Sequence, residues 1–547
     1  MTRIQERAGL PTASNYQVKI FEAVESAVSE IIAGERPNSL IIDAKPGSGK
    51  TTTGVAATRL IPDGIPTIFV AFNKKIANEL ALRLPPGIPA RTFHAHWLRQ
   101  WGRYIRLRHN KSTEVNDFKV HNAVEKHMGL NRFRKNRRAL ISQAQIAEQK
   151  KKRQQADDVV FLVEKAKIFG VVPRGYPNGQ SVTGYEDNDF FWLHIMEYFN
   201  YQINPEKLEE TLDIVREILW EGLENETEID FADMLYLPAV KNTHSELFHI
   251  VMIDEAQDLN GLQRYLLTRM TAEGGMIIAI GDKRQSCYAF RGADAESMDH
   301  IKDEFACDEY PLSISYRCAQ AIVAEAYEIY PEIESAPNAP MGSVERPENW
   351  KLADFRPGHL IICRNNAPTI SLAYQLIRHR IPAKVLGRDI GEGLMKLVRQ
   401  CDEDNTLAEM IDNLRAWRDH QLVLVERKNP DDERGKDQIR DKYTCITELA
   451  TGDEILNVEQ LLSLIDQMFT TAAEERQAIS SSRVTLSTIH KIKGAEADTV
   501  FILDPHLINP PWIRSDWQYI QEKNLHFVGI TRAKTRLIYI NSDAIKS

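Results

Sequence analysis

Short, nearly continuous apolar runs recur along this chain of 547 residues. Such runs are typical of strands that are buried on both faces of a parallel sheet. Helix-like patterns separate many of them, which indicates an α/β fold with parallel sheets. The eight predicted strands are residues 39–44, 66–72, 248–254, 276–282, 358–363, 483–488, 498–504 and 536–540.

The eight runs fall into two groups of four, and a long strand-poor, helix-like insertion interrupts each group. We therefore predict two sheet domains, each with a mainly helical insertion. The predicted limits are residues 1–102 with 239–310 for the first sheet domain, 103–238 for its insertion, 311–390 with 479–547 for the second sheet domain, and 391–478 for a shorter second insertion.

The least regular stretch is ERKNPDDERGKDQ, residues 426–438. Its charges, proline and glycine predict an exposed hairpin or a mobile link between two regular segments.

The composition, 43% apolar and 27% charged, is that of a globular protein, and the length indicates two to four domains. No apolar run approaches the roughly 18 residues of a membrane span, and the first residues lack the apolar core of a secretory signal. The six cysteines form no CxxC pair, so neither a zinc site nor an iron–sulfur cluster is indicated. We expect reduced thiols, no membrane partner, and a cytoplasmic location in a bacterial or phage-infected cell, or a nuclear one in a eukaryote.

Charge is unevenly distributed along the chain. The net charge is −9, yet residues 99–153 contain sixteen Lys/Arg and only four Asp/Glu. A solvated helical face and a surface that binds phosphates both explain such a run. The second interpretation predicts phosphate contacts in the densest part, at Arg134, Lys135, Arg137 and Arg138.

The sequence AKPGSGKTT follows the first predicted strand and has the pattern of a phosphate loop. Its glycines allow backbone N–H groups to surround phosphate oxygens, and the helix that begins here adds its positive end. Lys50 would place its charge on the β/γ-phosphates, and the Thr51 hydroxyl would bind Mg²⁺. A plain glycine-rich turn would leave the order of strand, glycines and GKT unexplained. The predicted ATP contacts here are Ala44, Lys45, Pro46, Gly47, Ser48, Gly49, Lys50, Thr51 and Thr52.

Two acids, Asp254 and Glu255, end the predicted strand FHIVMID. The carboxyl end of a strand is the usual ligand edge of an open α/β sheet. Asp254 can hold Mg²⁺, and Glu255 can orient and deprotonate the attacking water, as phosphoryl transfer to water requires. Such a pair alone is weak evidence, since many acids only cap helices, but the phosphate loop strengthens it.

Further motifs occur over nearly the whole length, namely NYQ (15–17), VAFNKKIANEL (70–80), ARTFHAHWL (90–98), IDFADML (229–235), DEAQD (254–258), LSISYR (312–317), IICRNNA (361–367), TIHKIKGAEAD (488–498) and FVGITRAKTRL (527–537). In this order they resemble the motifs of the UvrD/Rep/PcrA-like helicases of superfamily 1, the 3′-to-5′ branch. The wording is most similar to F-box helicase and phage-type members. The resemblance implies two RecA-like domains, ATP and Mg²⁺ as cofactors, and DNA as partner.

The resemblance also implies roles for individual residues. Catalytic roles fall on Lys50, Thr51, Asp254, Glu255, Gln285, Arg317 and Arg532, with Mg²⁺ at Thr51 and Asp254. Further ATP contacts are implied for Gln17, Tyr316 and Glu496. DNA contacts are implied for Phe72, Lys75, Thr92, His94, Tyr288, Phe290, Arg291, Asn366, Thr488 and His490, although a structural role for either histidine is an open alternative.

The stretch GDKRQSCYAFRGA, residues 281–293, combines a polar residue with two aromatic ones. By the resemblance, Gln285 contacts the γ-phosphate or the attacking water. Tyr288 and Phe290 can stack on nucleobases, which is worth roughly 1–3 kcal/mol per base. Two core rings are the plainer interpretation. The short spacing and the neighbouring Arg291 favour a loop that links phosphate to DNA.

The chain departs from the family pattern at several positions. Ala495 and Ala497 replace large residues, Thr52 stands where many relatives have an arginine against adenine, and Phe290 replaces a tryptophan. The second insertion is short, and only fifteen residues follow Arg532, from which we expect no C-terminal nuclease or partner-binding tail.

The leading hypothesis is an ATP-dependent 3′-to-5′ DNA helicase or translocase that acts on single-stranded DNA and on single-strand/duplex junctions, in repair, replication or recombination. The alternative is a DNA-stimulated ATPase that displaces proteins or serves as one component of a repair or defence complex, with weak unwinding alone. A P-loop switch or small-molecule kinase would have no use for stacking residues. RNA is a less favoured substrate, because no module that reads 2′-hydroxyls is apparent. Protein partners are not indicated.

Overall fold

A computed structural model describes residues 2–130, 143–177, 179, 181–199, 201, 203–286, 296–402, 406–428, 433–451, 455–469, 482–492, 495–511, 513 and 516–544. The described residues form two compact units. Unit 1 lies within Met1–Ala44, Lys50–Lys283 and Tyr288–Leu312, and unit 2 lies within Lys45–Gly49, Arg284–Cys287 and Ser313–Ser547.

Unit 1 is built on a six-stranded parallel sheet with the strand order β3-β2-β6-β7-β1-β8. A separate two-stranded parallel pair joins β4 to β5. The strands are β1 Ser39–Ala44, β2 Thr67–Ala71, β3 Ala90–Thr92, β4 Glu114–Val115, β5 Glu228–Ile229, β6 Phe248–Asp254, β7 Thr271–Gly281 and β8 Cys307–Leu312.

Unit 1 has twelve helices among the described residues. They are α1 Arg3–Arg7, α2 Asn15–Ala33, α3 Lys50–Thr58, α4 Lys74–Ala81, α5 Phe93–His109, α6 Lys119–His127, α7 Gln143–Ile168, α8 Asp189–Tyr198, α9 Leu208–Glu224, α10 Asp233–Val240, α11 Gly261–Met270 and α12 Ser297–Glu304. The helices outside α6–α9 cover both faces of the sheet. Successive residues of β6 show why the strand is apolar throughout, since Val251 enters one core and Met252 enters the core on the opposite face.

The helices α6–α9 have a separate apolar core. A buried charge cluster holds them near the start of α10, where Lys119 donates to Asp233 Oδ2 at 2.8 Å and Lys167 lies 2.7 Å from Asp233 Oδ1. Asp233 is fully buried. The two lysines offset its charge, and removing either one would leave a buried charge poorly compensated.

Unit 2 contains a second six-stranded parallel sheet, with the order β11-β16-β15-β12-β14-β13, and a small β9–β10 pair. Its strands are β9 Ile314–Ser315, β10 Glu334–Ser335, β11 Ser343–Glu345, β12 Leu360–Cys363, β13 Ala383–Val385, β14 Val484–Thr488, β15 Ala497–Leu503 and β16 Ala533–Ile540. Its helices are α13 Gln320–Tyr327, α14 Asn366–Arg378, α15 Arg388–Cys401, α16 Leu407–Lys428, α17 Glu433–Ala450, α18 Val458–Met468 and α19 Asp516–Ile530.

The predicted α/β class is confirmed, and all eight predicted strands are present as β1, β2, β6, β7, β12, β14, β15 and β16. The prediction of four strands in each sheet is wrong, because each sheet has two further strands. These four, β3, β8, β11 and β13, lie at the sheet edges. Edge strands are short or carry polar residues, as in the sequence CDEYPL of β8, so they lack the continuous apolar pattern.

The predicted loop at 426–438 is also largely wrong. Helix α16 continues to Lys428 and α17 already begins at Glu433. Charged side chains stabilise the start of α17, since Lys436 lies 2.8 Å from Glu433 and 2.6 Å from Glu426. Composition indicated a loop, whereas the spacing of opposite charges favoured a helix.

No helix within the described ranges is both long enough and apolar enough to cross a membrane.

Candidate functional site

The predicted catalytic residues of unit 1 lie together at the carboxyl ends of β1 and β6. Lys50, the first residue of α3, places its Nζ 3.2 Å from Glu255 Oε1 and 3.3 Å from Oε2. The Thr51 hydroxyl donates to Asp254 Oδ2 at 3.4 Å. A cation, a hydroxyl and two carboxylates therefore share one edge of the sheet.

The electrostatics of the two acids differ from those of surface carboxylates. Burial and, after it, the charge of Glu255 raise the pKa of Asp254, Lys50 opposes the shift, and the net result is a pKa of about 6. Glu255 has a left-handed backbone, with φ of 55°, and its N–H donates to Asp254 Oδ1 at 3.0 Å. A non-glycine residue in this region is uncommon, and strain of this kind is often found at functional sites.

Gln257 connects Glu255 to the end of the next strand, and the motifs did not single it out. Its amide nitrogen donates to Glu255 Oε2 at 2.5 Å, and its carbonyl oxygen accepts from the N–H of Asp282 at 3.0 Å. Asp282 follows β7 directly and is fully buried. The only signal in the sequence was the glutamine of the DEAQD box.

The glycines of the phosphate loop have the conformation that the motif requires. Gly47 and Gly49 have φ of 74° and 85°, in the region that favours glycine. A Cβ atom at Gly47 would lie 2.4 Å from Arg317 Cβ, so no larger residue fits. The Gly47 carbonyl accepts from the N–H of Tyr316 at 2.9 Å.

One polar atom of this loop is suited to an external ligand. The Ser48 side chain is fully buried, and its hydroxyl has no hydrogen-bond partner among the described residues. Buried hydroxyls are normally paired, so an anion such as a phosphate would satisfy this one. The loop therefore fits a nucleotide. Ala44 is the last residue of β1, and Pro46 is buried.

Within unit 2, Arg532 and Gln285 are in contact. Arg532 is 1% exposed, its Nη2 donates to Gln285 Oε1 at 3.4 Å, and its Nε donates to the Val528 carbonyl at 3.0 Å. The structure thus places one predicted arginine finger against the predicted phosphate sensor.

The other predicted arginine, Arg317, forms an ion pair with Glu496. Lys534 also lies 2.9 Å from Glu496. Although burial opposes it, the charges of Arg317 and Lys534 lower the pKa of Glu496 below its usual value. In this structure, Glu496 binds Arg317, whereas the motif resemblance implied a contact between Glu496 and the nucleotide.

The predicted adenine contacts are in mixed environments. Gln17 is buried, caps α2 by accepting from the N–H of Ser14, and donates to Thr53 Oγ1 at 2.9 Å. Tyr316 is 52% exposed and offers an open ring. The Thr52 hydroxyl accepts from Arg83 Nη2 at 3.3 Å. The Arg83 guanidinium thus lies beside Thr52, the position where many relatives have an arginine. No sequence motif pointed to Arg83, and only this contact shows its proximity to the site.

Four of the predicted DNA residues lie at or just after the carboxyl ends of β2 and β3, which are neighbouring parallel strands with Ala71 opposite Thr92. Phe72 is 48% exposed, and Lys75 is exposed on α4. The Thr92 hydroxyl instead caps α5, accepting from the N–H of Ala95 at 3.1 Å.

His94 has a ring partner that the sequence analysis missed. Its ring stacks on Phe231 with centroids 4.0 Å apart, and Phe231 is 58% exposed. Burial lowers the pKa of His94 to about 4, so the imidazole is neutral at pH 7. A neutral ring that supports an exposed ring suits base stacking better than a charge contact with phosphate.

In unit 2, Asn366 is held by an acid of α17. Its side-chain amide donates to Asp441 Oδ2 at 3.1 Å, and the N–H of Ala367 donates to Asp441 Oδ1 at 2.8 Å. Thr488 ends β14 and is buried, and His490 is half-buried just beyond it.

The predicted DNA contacts Tyr288, Phe290 and Arg291 lie outside the described residues, as do Arg134, Lys135, Arg137 and Arg138 of the basic segment.

These features define a P-loop nucleotide-binding protein. They are two parallel six-stranded sheets, a glycine loop that leads into α3 at Lys50, and an acid pair at the end of β6. The chain belongs to the UvrD/REP helicase family: the model of the UvrD/REP helicase N-terminal domain matches residues 29–306, and that of the UvrD-like helicase C-terminal domain matches residues 390–543. The family predicted from the motifs is thereby confirmed.

Individual relatives agree with this family. The chain is 24% identical over 332 residues to DNA helicase II of Escherichia coli, covering 56% of this chain and 40% of that protein. It is 20% identical over 423 residues to DNA helicase II of Haemophilus influenzae, covering 56% of this chain and 58% of the relative. It is 32% identical over 108 residues to an ATP-dependent helicase/nuclease subunit of Carboxydothermus hydrogenoformans, covering 20% of this chain and 9% of that one. The chain thus spans less than two thirds of the length of these relatives.

Proposed function

We propose that this protein hydrolyses ATP to move along single-stranded DNA and to separate duplex DNA, in the 3′-to-5′ direction. The observation that carries the proposal is the meeting of Lys50 with Glu255 and of Thr51 with Asp254, in a chain of the helicase family. The names of the relatives support DNA as the substrate. The direction rests on the motif resemblance alone.

In the proposed reaction, the residues of unit 1 position phosphate and water. Lys50 neutralises charge on the transferred phosphate, and Glu255 accepts a proton from the attacking water. Thr51 and Asp254 supply the oxygen atoms that would hold Mg²⁺, which neutralises phosphate charge when it is bound. Gln257 keeps the Glu255 carboxylate oriented through its 2.5 Å hydrogen bond.

By the motif resemblance, two arginines are proposed to stabilise the charge that develops on the transferred phosphate. Arg317 lies beside Gly47 of the phosphate loop, and Arg532 lies beside Gln285. An arginine in this role can contribute about 10³–10⁵ in rate. Because Arg317 is paired with Glu496 here, its guanidinium must exchange that carboxylate for phosphate during the cycle.

We propose that DNA bases stack on exposed rings at the carboxyl ends of β2 and β3. Phe72 and Phe231 are 48% and 58% exposed, which leaves their faces accessible. His94 supports Phe231. By the motif resemblance, Tyr288 and Phe290 are further proposed base contacts. The basic segment 99–153 would contact backbone phosphates.

The wider assignments of the sequence analysis also stay proposals. They are the four domain limits, a cytoplasmic location, a role in repair, replication or recombination, and a preference for single-strand/duplex junctions.

The test measures ATP hydrolysis with and without single-stranded DNA, and strand separation on duplexes with a 3′ or a 5′ tail. We expect hydrolysis that DNA stimulates, and unwinding that prefers the 3′ tail. Lys50→Ala is the control for contaminating activity. Equal rates of ATP hydrolysis with and without DNA would contradict the helicase assignment. Preferential unwinding of the duplex with a 5′ tail would contradict only the proposed direction.

A second candidate is a DNA-stimulated ATPase that displaces proteins or works as one component of a larger complex. One relative is named as a subunit, which favours this candidate. Strong ATPase activity and displacement of a DNA-bound protein, without strand separation, would support it over the leading proposal.

A further inference from the structure

A lysine of the phosphate loop is buried instead of facing solvent. The Lys45 side chain is 2% exposed, and its ammonium group donates to Glu332 Oε2 at 2.8 Å. Glu332 lies between α13 and β10 of unit 2. Burial of a lysine costs free energy unless its charge is paired, so this loop conformation depends on the carboxylate.

The same carboxylate binds a second cation from a distant part of the chain. Arg284 Nη2 donates to Glu332 Oε1 at 2.7 Å, and Arg284 Nε donates to Oε2 at 3.2 Å. The guanidinium also lies 4.5 Å from the centre of the Tyr330 ring, a cation–π arrangement. Arg284 immediately precedes Gln285, so Glu332 fixes the start of the sensor segment, residues 284–286.

A second contact fixes the other end of this segment. The Asn524 side chain donates to the Ser286 carbonyl at 3.0 Å and accepts from the Tyr330 hydroxyl at 2.7 Å. The sensor segment is therefore held at two points. Glu332 binds the Arg284 side chain, and Asn524 binds the Ser286 backbone carbonyl. The stretch Tyr330–Glu332 takes part in both contacts.

We propose that Glu332 is a positioning residue that couples nucleotide binding at the phosphate loop to DNA binding, through the sensor segment. Lys45 transmits the state of the phosphate loop to the carboxylate, and Arg284 transmits it to Gln285. A change at either segment alters the free energy of the other, because both bind one group. This inference rests on the proposed function of ATP-driven movement on DNA.

Glu332 carries its charge at all working pH values. Hydrogen bonds from Arg284, followed by that of Lys45, lower the pKa of Glu332 to about 2, although partial burial opposes the shift. The coupling is therefore expected to be independent of pH near neutrality.

The experiment measures the dissociation constant of a fluorescent single-stranded oligonucleotide with and without a non-hydrolysable ATP analogue. The ratio of the two constants is the coupling factor, which we expect to be roughly fivefold or more in the wild type. Glu332→Gln should bring the ratio close to one. Lys45→Met and Arg284→Gln should each lower it in part, and Glu332→Asp should restore part of it.

Glu345→Gln is the matched control, because Glu345 binds Arg536 through two hydrogen bonds of 2.7 and 2.6 Å elsewhere in unit 2. It should keep the wild-type ratio. Urea unfolding of each variant separates a loss of stability from a loss of coupling. A purely structural Glu332 would lower the stability and leave the ratio unchanged.

A folded Glu332→Gln variant with the wild-type ratio would overturn the inference, and so would a wild type whose ratio is one. Absence of DNA-stimulated hydrolysis in the wild type would instead overturn the proposed function. Non-additive effects of Lys45→Met and Glu332→Gln on unfolding free energy would still report the ion pair in that case.

Discussion

Two carboxylate groups in this molecule are both influenced by lysines, yet their pKa values are shifted in opposite directions. Asp254, beside Glu255 at the end of β6, is 4% exposed, and its pKa is raised to about 6. Glu332 is bound by Lys45 and Arg284, and its pKa is lowered to about 2. The first region has an excess of negative charge that a ligand cation can neutralise. In the second region, Lys45 and Arg284 already neutralise the carboxylate, as expected of a group that links the phosphate loop to the sensor segment.

The largest effect should come from the region with excess negative charge. Lys50→Ala and Glu255→Gln should each lower steady-state ATP hydrolysis by about 10³-fold or more, because the cation at the phosphate or the base is lost. Glu255→Gln should still bind nucleotide. Lys302→Ala, which removes a surface ion pair with Glu309, is the control and should hydrolyse normally. Appreciable hydrolysis by a folded Lys50 or Glu255 variant would make the assignment of these residues wrong.

Two functions, phosphate sensing at Gln285 and base stacking at Phe290, should be separable by mutation in the segment that Glu332 holds and the residues after it. Phe290→Ala should keep basal hydrolysis but lose most of the stimulation by single-stranded DNA, roughly tenfold for one lost base stack. Gln285→Ala should bind DNA normally and hydrolyse slowly even when DNA saturates. Both are measured as hydrolysis rate against DNA concentration. If Phe290→Ala unfolds the protein, its ring belongs to a core, and if it unwinds normally, the ring has no part in coupling.

An exposed ring that has no part in the proposed chemistry or coupling should affect DNA affinity alone. Phe231→Ala should weaken binding of single-stranded DNA by about tenfold, since one base stack is worth roughly 1–3 kcal/mol. Fluorescence anisotropy without nucleotide measures it. Phe190→Ala is the matched control, because Phe190 is 75% exposed on α8 and has no assigned role. Equal losses in both variants would show a non-specific effect of removing exposed rings.

The smallest effect should be a difference in the pH dependence of stability. Because the folded pKa of Asp254 is raised, the folded state binds the proton more readily, and stability without Mg²⁺ should rise as pH falls from about 6 towards 4. The slope is at most about 1.4 kcal/mol per pH unit. Asp254→Asn should abolish this rise and stabilise the protein above pH 6.

Glu332 should show the opposite sign. Its stabilisation is complete above its unfolded pKa near 4.5 and is lost as pH falls towards 2. Urea unfolding of Asp254→Asn and Glu332→Gln at several pH values checks both signs. Parallel pH profiles in the two variants would contradict the contrast between the two regions.

The inner strands and the proximity of the phosphate loop to the acid pair could be predicted because each follows from a local pattern. A strand buried on both faces is apolar throughout, and the phosphate loop and acid pair each occupy a few consecutive residues. The edge strands β3, β8, β11 and β13 were missed because solvent on one side permits polar residues.

The residues that connect these motifs could not be predicted in the same way. Glu332 meets Lys45 across 287 positions, and Arg83 meets Thr52 through an exposed side chain of no distinctive pattern. Phe231 was included in a motif, but only its exposure and its stacking on His94 indicate a use. Contacts of this kind depend on the three-dimensional path of the chain.

The short β4–β5 pair has a consequence for protein engineering. It brings Glu114 opposite Glu228 and Val115 opposite Ile229, so the chain leaves the sheet domain and returns to it at one place. Neighbouring strands lie about 4.8 Å apart and each residue spans about 3.3 Å. A linker of a few glycine and serine residues could therefore join Val115 to Glu228 without stretching the chain. The helices between them form a module that could be excised or exchanged between relatives, provided that a replacement for Lys119 and Lys167 keeps Asp233 neutralised.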